Sequence, residues 1–237
     1  LFKMKWNSKY KYPSSTRSVL KGIRQYTLNN QILPSVTSII SLTKSSSEKE
    51  ALASWQLRVG KEESMRIKNS AAQRGSEMHA FIERFLRGQE NLDLFKDDEN
   101  TQSKKMANLI IEEGLRNNLS EINGVECTVY YPGALGFAGT SDLIGIFNNV
   151  PSVIDFKQKN SIMKESYESL QTYFTQLGAY SLAHNTIFNS NITQGVILLA
   201  TTDLVYQIFR IQDEKLIEYQ NKFLDRVKQY YSIINKS

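Results

Sequence analysis

Gly139-Thr140-Ser141-Asp142, followed thirteen residues later by Asp155-Phe156-Lys157, is the stretch on which the reading of this chain turns. Around it, Val125 to Tyr131, Phe137 to Phe147 and Val153 to Phe156 are rich in β-branched and aromatic residues, and Pro132-Gly133 and Asn148-Asn149 separate them. That composition with those breaks predicts a meander of three strands. In an extended strand alternate residues face the same way, so Asp155 and Lys157 share a face while Phe156 turns into the core. A hairpin that returns Asp142 beside Asp155 gathers two carboxylates and one ammonium at one spot. Hard oxygen ligands of this kind suit Mg²⁺ or Mn²⁺, which bind phosphate oxygens and orient a water for in-line attack. Lys157 can position or deprotonate that water, or offset charge developing on the phosphate. Set against this is an exposed hairpin with an ordinary ion pair, which a bare D…DxK pattern fits as well.

Outward from the meander, Ser47 to about Leu86 has helical composition, with Met78, Phe81, Ile82, Phe85 and Leu86 at helical spacing and Gly88 as its C-cap. The acidic stretch 93–99 reads as a solvated loop, and a further helix is expected over 101–117. Pro34-Ser35-Val36-Thr37 leads into an apolar turn at Ser38-Ile39-Ile40 that can begin a helix. After the meander come a helix near Tyr167 to His184, strands at Gly195 to Ala200 and Val205 to Ile211, and a closing helix from about Glu214 to Ile234. The expectation is an α/β fold with a mixed central sheet flanked by helices. Residues 1–33 are expected to form a basic, aromatic arm or loop. Residues 34–237 are expected to form one domain, with a helical region at 34–118 and a catalytic core at 119–237.

Composition narrows the function without naming it. At 237 residues and 41% hydrophobic content the chain can bury a sizeable core. A net charge of +5 permits an anionic partner without demanding one. Its distribution says more: Lys3, Lys5, Lys9, Lys11, Arg17, Lys21 and Arg24 precede the first acid, Glu48, and are interleaved with Phe2, Trp6, Tyr10 and Tyr12. Cations among aromatics suit a nucleic-acid strand, and equally a solvated basic tail. The single cysteine, Cys127, excludes a disulfide framework, a thiolate zinc site and a four-cysteine iron-sulfur cluster within this chain. No run approaches the length of a membrane span, so a soluble protein is expected, and the lone cysteine is compatible with a reducing, intracellular compartment. The acid-poor, serine-bearing opening also suits part of a transit peptide, but Leu1 is not an initiator Met and no organelle is assigned from it.

Two further pairs add to the aspartates. His79 and Glu83 are four apart, hence on one helix face, and both can ligate metal. Gln176 and Tyr180, also four apart, can present an amide and a phenol to a phosphate or to the lysine.

The ordered set Gly75…His79…Glu83, Glu126, Gly139-Thr-Ser-Asp142, Asp155-Phe-Lys157 and Gln176…Tyr180 resembles the RecB-like exonuclease branch of the PD-(D/E)xK nuclease superfamily. More narrowly it resembles the mitochondrial genome maintenance exonuclease group and its phage and bacterial relatives. Pro34-Ser-Val-Thr37, Trp55 and the runs Asp155 to Asn160 and Gln176 to Asn185 support the narrower match, which extends over nearly all the chain from Gln31 onward. The resemblance implies a restriction-endonuclease-like core with an N-terminal helical elaboration, and a Mg²⁺- or Mn²⁺-dependent exonuclease acting on DNA with a free end, expected to be single-stranded. It implies a bacterial or phage-infected cytoplasm as the setting and leaves a mitochondrial one open.

Residue by residue, the resemblance makes Asp142 and Asp155 metal-binding acids, Lys157 the catalytic lysine and His79 the helix histidine of the metal site. The Phe156 backbone carbonyl is a further ligand, and Glu83 a helper. Gln176 and Tyr180 would orient the lysine or touch substrate, while Gln158, Lys159, Arg74 and Trp6 would contact the strand. Many relatives carry Thr or Ser where Gln158 stands, which alters strand contacts rather than chemistry. Cousins with an iron-sulfur cluster are excluded by the lone Cys127. Two other readings stay open at this point: a silent DNA-binding module, against which the intact Asp142, Asp155 and Lys157 argue, and an endonuclease or junction resolvase on the same scaffold.

Overall fold

The computed structural model describes residues 4–89 and 101–235. Its centre is a six-stranded mixed sheet built from β1 (Lys5–Trp6), β5 (Leu119–Tyr131), β6 (Phe137–Phe147), β7 (Val150–Lys159), β8 (Gln194–Thr201) and β9 (Tyr206–Gln212), in the order β1-β5-β6-β7-β8-β9. The expected meander is there: β5, β6 and β7 pair antiparallel. Asn148 and Asn149 both take left-handed φ, 48° and 65°, which is the backbone a two-residue hairpin turn requires. From β7 the chain crosses through α5 (Glu168–Phe188) to β8, which pairs parallel with β7. The closing hairpin to β9 is antiparallel.

Apolar residues cover both faces of this sheet. On one side α5 and α6 (Asp213–Ile234) pack against it, with Leu216, Tyr219, Phe223, Val227 and Tyr230 recurring every three or four residues along the buried stripe of α6. The two helices approach so closely at Gly178 that a Cβ there would lie 2.6 Å from the Tyr219 backbone carbon. On the other side stand α3 (Lys61–Leu86) and α4 (Gln102–Leu109), the latter running into a π-helical turn, Ile110–Leu115. The single helix expected over 101–117 is therefore two consecutive helical forms.

Before α3 come α1 (Val36–Leu42), capped by Ser35 accepting from the Ser38 amide, and α2 (Ser46–Val59), opened by a capping box between Ser45 and Glu48. No residue of α2 is buried. Gly60, with φ 86°, breaks α2 from α3. The C-terminus of α3 ends as expected at Gly88, φ 67°, with its amide on the Phe85 carbonyl.

Within the first 33 residues, the stretch 16–33 departs from the expectation of an arm or loop, while 7–15 carry no helix or strand. Residues 16–34 form a second, three-stranded antiparallel sheet of β2 (Thr16–Leu20), β3 (Ile23–Leu28) and β4 (Gln31–Pro34), and β1 joins the main sheet parallel to β5. All five residues of β2 are exposed, so no hydrophobic alternation marks it as a strand. What does mark it is turn chemistry: Lys21-Gly22 and Asn29-Asn30 all have positive φ, the pattern of tight hairpins. The small sheet attaches through Tyr26, Leu28 and Leu33, packed on Ala138 of β6. The acidic stretch 93–99, together with Phe2 and Lys3, lies outside the described residues. Among the described residues no helix is long and apolar enough to cross a membrane.

Candidate active site

Strand register brings the acids together. In β5 and β6 the pairs Val125 with Leu143 and Cys127 with Ser141 bracket Glu126 and Asp142, which therefore stand opposite each other. The β6-β7 ladder runs to Leu143 opposite Ile154, and one step further sets Asp142 opposite Asp155. Three carboxylates thus lie in a row across three adjacent strands. Glu126 has left-handed backbone, φ 48°, a conformation that costs an L-residue about 1–2 kcal/mol. Across it the strand reverses its facing: Val125 packs in the core under α3 and α4, Cys127 in the core under α5 and α6. The local strain interrupts the alternation of side chains where this carboxylate meets the site.

His79 reaches the row from α3. Its Nε2 lies 2.9 Å from the Phe156 carbonyl oxygen, and its Nδ1 lies 3.5 Å from Asp142 Oδ2 and 3.9 Å from Glu126 Oε1. Met78 and Ile82, its neighbours on the helix, are fully buried and fix the rotation of α3 over the sheet. Burial draws the His79 pKa down, but Asp142, the hydrogen bond to Glu126 and the charge of Asp155 outweigh it, and the imidazole is raised to about 9. Ligand atoms of His79, Glu126 and Asp142 all lie within 4.8 Å of one another, a group that could hold a metal ion.

Asp142 also accepts the Phe156 amide at 2.9 Å, which ties β6 to β7 where their ladder ends. Asp155 is 1% exposed, and apart from the contact with Lys157 neither of its carboxylate oxygens takes a hydrogen bond. Its closest counter-charge is Lys157, in an ion pair through Oδ2. Burial lifts the Asp155 carboxyl above the usual range, against the pull of Lys157. Burial would lower Lys157, yet Asp155 and Asp142 overcome it and hold the ammonium above its ordinary value. A buried carboxylate whose only close polar partner is one ammonium keeps lone pairs for a further cation, so the donor set suits a divalent metal.

From α5, Gln176 Oε1 accepts from Lys157 Nζ at 3.4 Å while its amide nitrogen donates to the Tyr180 hydroxyl at 3.0 Å. Tyr180 is buried, which pushes its pKa well up and keeps it a neutral phenol. Gly139 lies beneath it, where a Cβ would come within 2.6 Å of the Tyr180 ring.

These groups line a cleft of about 490 Å³ between α3 on one side and the small sheet on the other. Asp142, Asp155, Lys157, His79, Gln176, Tyr180 and Glu83 all face it. Glu83 is held in an ion pair with Arg87 at 2.8 Å. Arg74, Gln158, Lys159 and Trp6 are not among the lining residues. Arg74 donates to Gln158 Oε1 at 2.8 Å and to Asn160 Oδ1 at 2.7 Å, and Gln158 donates to the Ala71 carbonyl at 3.0 Å, so these two brace β7 against α3. Lys159 sits over the Tyr173 ring. Trp6 donates its indole N–H to the Leu86 carbonyl and lines a separate pocket with Tyr10, Tyr12 and Arg87. Glu126 borders both hollows. The sequence alone assigns Glu126 no role, because its signal is the strand register. Arg17 and Arg24 also face the cleft, a placement hidden until the small sheet is known.

No family model matches this chain, and no curated protein does. Among solved structures, a candidate exonuclease from Eubacterium rectale is similar at 14% identity and a TM-score of 0.44, over 68% of this chain and 66% of that one. The protein SSO0001 is similar at 14% identity and a TM-score of 0.31, over 43% of this chain and 49% of that one. The chain thus spans just under two thirds of the first relative's length and about half of the second's, and function has to be read from the cleft itself.

Proposed function

We propose that this chain is a Mg²⁺- or Mn²⁺-dependent deoxyribonuclease of the RecB-like PD-(D/E)xK kind, an exonuclease on single-stranded DNA with a free end. The observation that carries the reading is the buried carboxylate of Asp155, whose only close polar partner is Lys157, in a row with Asp142 and Glu126 at the base of an open cleft. Asp142, Asp155, His79 and the Phe156 carbonyl would hold the metal, with Glu126 beside them. When bound, such an ion supplies Lewis-acid polarisation of a phosphate oxygen and a water made acidic enough to attack it.

The chain's own residues do the remainder. Lys157 is a cation by its surroundings, so it offsets charge on the scissile phosphate in preference to acting as a base. Gln176 holds the ammonium, and Tyr180 holds Gln176, a relay that fixes Lys157 on its approach to the phosphate. A cleft of a few hundred cubic ångströms, the scale at which small-molecule ligands are enclosed, and walled on two sides, suits one strand.

Asp155→Ala and Lys157→Ala test the reading: with Mg²⁺ each is expected to cut cleavage of a linear labelled strand by about 10³-fold or more while strand binding persists. Undiminished cleavage in either variant removes the assignment. A circular single strand degraded as fast as a linear one would convert the exonuclease to an endonuclease.

A further inference from the structure

The floor of the cleft is acidic, yet the substrate proposed for it is a polyanion. On the floor are Glu126, Asp142 and Asp155, with Lys157 already committed to Asp155. Lys157 serves the scissile phosphate, so cations for the phosphates flanking it must come from the walls, and apart from His79 the α3 wall offers mainly Ala71, Ala72, Gly75 and Ser76. The opposite wall, the small sheet, carries two guanidiniums. Arg17 on β2 pairs with Tyr26 on β3, and Arg24 lies two residues from Tyr26 on the same strand, so all three share one face. That face is turned to the cleft, which all three line.

The sheet bearing them is fastened to the catalytic strands. Buried Tyr26 meets Thr140 Oγ1 through its hydroxyl at 3.0 Å, two residues before Asp142. Arg24 is pinned at both backbone groups: its amide donates to Ser38 Oγ at 2.9 Å and its carbonyl accepts from the Ser35 amide at 2.9 Å. Their side chains, by contrast, are uncommitted. Among the described residues neither guanidinium has an ion pair or a side-chain hydrogen bond. An exposed Arg on a rigid backbone with no carboxylate partner is pre-set for a ligand with paired anionic oxygens, because its planar fork matches phosphate bidentately.

We infer that Arg17 and Arg24 are a phosphate clamp on the small-sheet wall, gripping the backbone phosphates that flank the scissile one as a single strand crosses the catalytic floor. The inference rests on the nuclease reading and adds positioning residues to it. The clamp acts on the substrate before and during cleavage alike, so its contribution falls on binding and not on the chemical step.

The test uses the full chain with a labelled single-stranded oligonucleotide. Arg17→Ala/Arg24→Ala should raise KM by about 10- to 100-fold with kcat held within about twofold. Strand binding, measured in an Asp155→Asn background that does not cut, should become less salt-sensitive: each single-strand phosphate contact contributes about 0.7 to the slope of log K against log salt, so two lost contacts flatten it by about 1.4. Arg17→Lys/Arg24→Lys should restore the slope and only part of the KM, since charge returns without the fork. Thermal melting of the alanine variant should match the wild type, because both side chains are exposed and unpartnered. An unchanged KM and salt slope, in a protein still inactivated by Asp155→Ala, would overturn the clamp and leave the nuclease standing. A loss confined to kcat would overturn it as well. If Asp155→Ala leaves cleavage intact, the nuclease reading fails first.

Discussion

The chain has two histidines, and they sit in opposite environments. His79, on α3, meets Asp142 and Glu126 at the cleft and is raised to about 9. His184, on α5, is wholly buried, hydrogen-bonded to the Tyr12 and Ser190 hydroxyls at 3.1 and 2.7 Å, with Tyr10 and Phe188 against its ring; burial, with a smaller push from Lys9, lowers it to about 4. One imidazole is held as a cation beside carboxylates; the other is a neutral strut that locks residues 10–12 to α5. Helix position and residue type are alike in the two regions. What separates them is whether carboxylates or hydroxyls and aromatic rings complete the shell.

The largest effect that can break this contrast is acid unfolding. Above pH 6.5 His184 is neutral folded and unfolded, and its shell contributes fully. Between 6.5 and about 4 the unfolded chain binds a proton that the native one refuses, so stability falls as pH falls; below about 4 both states are protonated and the loss stops. The full difference is worth roughly 3 kcal/mol at about 1.36 kcal/mol per pH unit. Urea unfolding from pH 7 to 4, with His184→Gln as reference, should show that component in the wild type alone. Equal pH dependence in both would mean that His184 is already charged in the fold.

A somewhat smaller effect sharpens the other side. In metal-free protein His79 should titrate near 9 by NMR, and a metal that takes its nitrogen must displace a proton. Mn²⁺ affinity should therefore rise by up to about tenfold per pH unit between 7 and 9, with His79→Gln flattening the rise. Pairing with acids also lends His79 a stability contribution that is present below 6.5 and lost as pH rises through about 9. An affinity indifferent to pH would take His79 out of the ligand set.

Much of this was open to reading in the sequence, for identifiable reasons. α6 is legible because its buried stripe recurs at a fixed period, the strands because β-branched and aromatic runs are bounded by turn residues, and Asp155 and Lys157 share a face by strand alternation alone. The hairpin turn at Asn148-Asn149 then returns Asp142 beside them. The small sheet was not legible by period, since β2 buries nothing; its Lys21-Gly22 and Asn29-Asn30 turns were the available signal. Arg74 and Gln158 are separated by 84 residues and meet only because α3 crosses β7, so their engagement with each other could not be seen. Glu126 was hidden most completely. Its place opposite Asp142 continues the ladder that starts at Tyr131 opposite Phe137, and its left-handed backbone breaks the alternation of β5 there, so strand periodicity alone does not assign its side.

Glu126 therefore supplies the smallest and most discriminating test of the contrast between the two histidines. Its carboxylate stands 3.9 Å from His79 and at the border of both hollows, farther from the imidazole than Asp142 and without the burial of Asp155. Glu126→Gln removes one charge and keeps the shape. If the charge matters to the metal group, Mn²⁺ affinity should fall by about 10-fold, at the low end for partners that support a metal site, while the metal-free His79 resonance titrates at lower pH than in the wild type. Because Asp142 remains at 3.5 Å, His79 should still titrate well above His184. The left-handed backbone at 126 gives a control: Glu126→Gly relieves that strain and should lose metal affinity as Gln does while gaining in melting temperature. Affinity retained in both variants would reduce the row of three carboxylates to a pair, with Glu126 serving only to turn β5 from one core to the other.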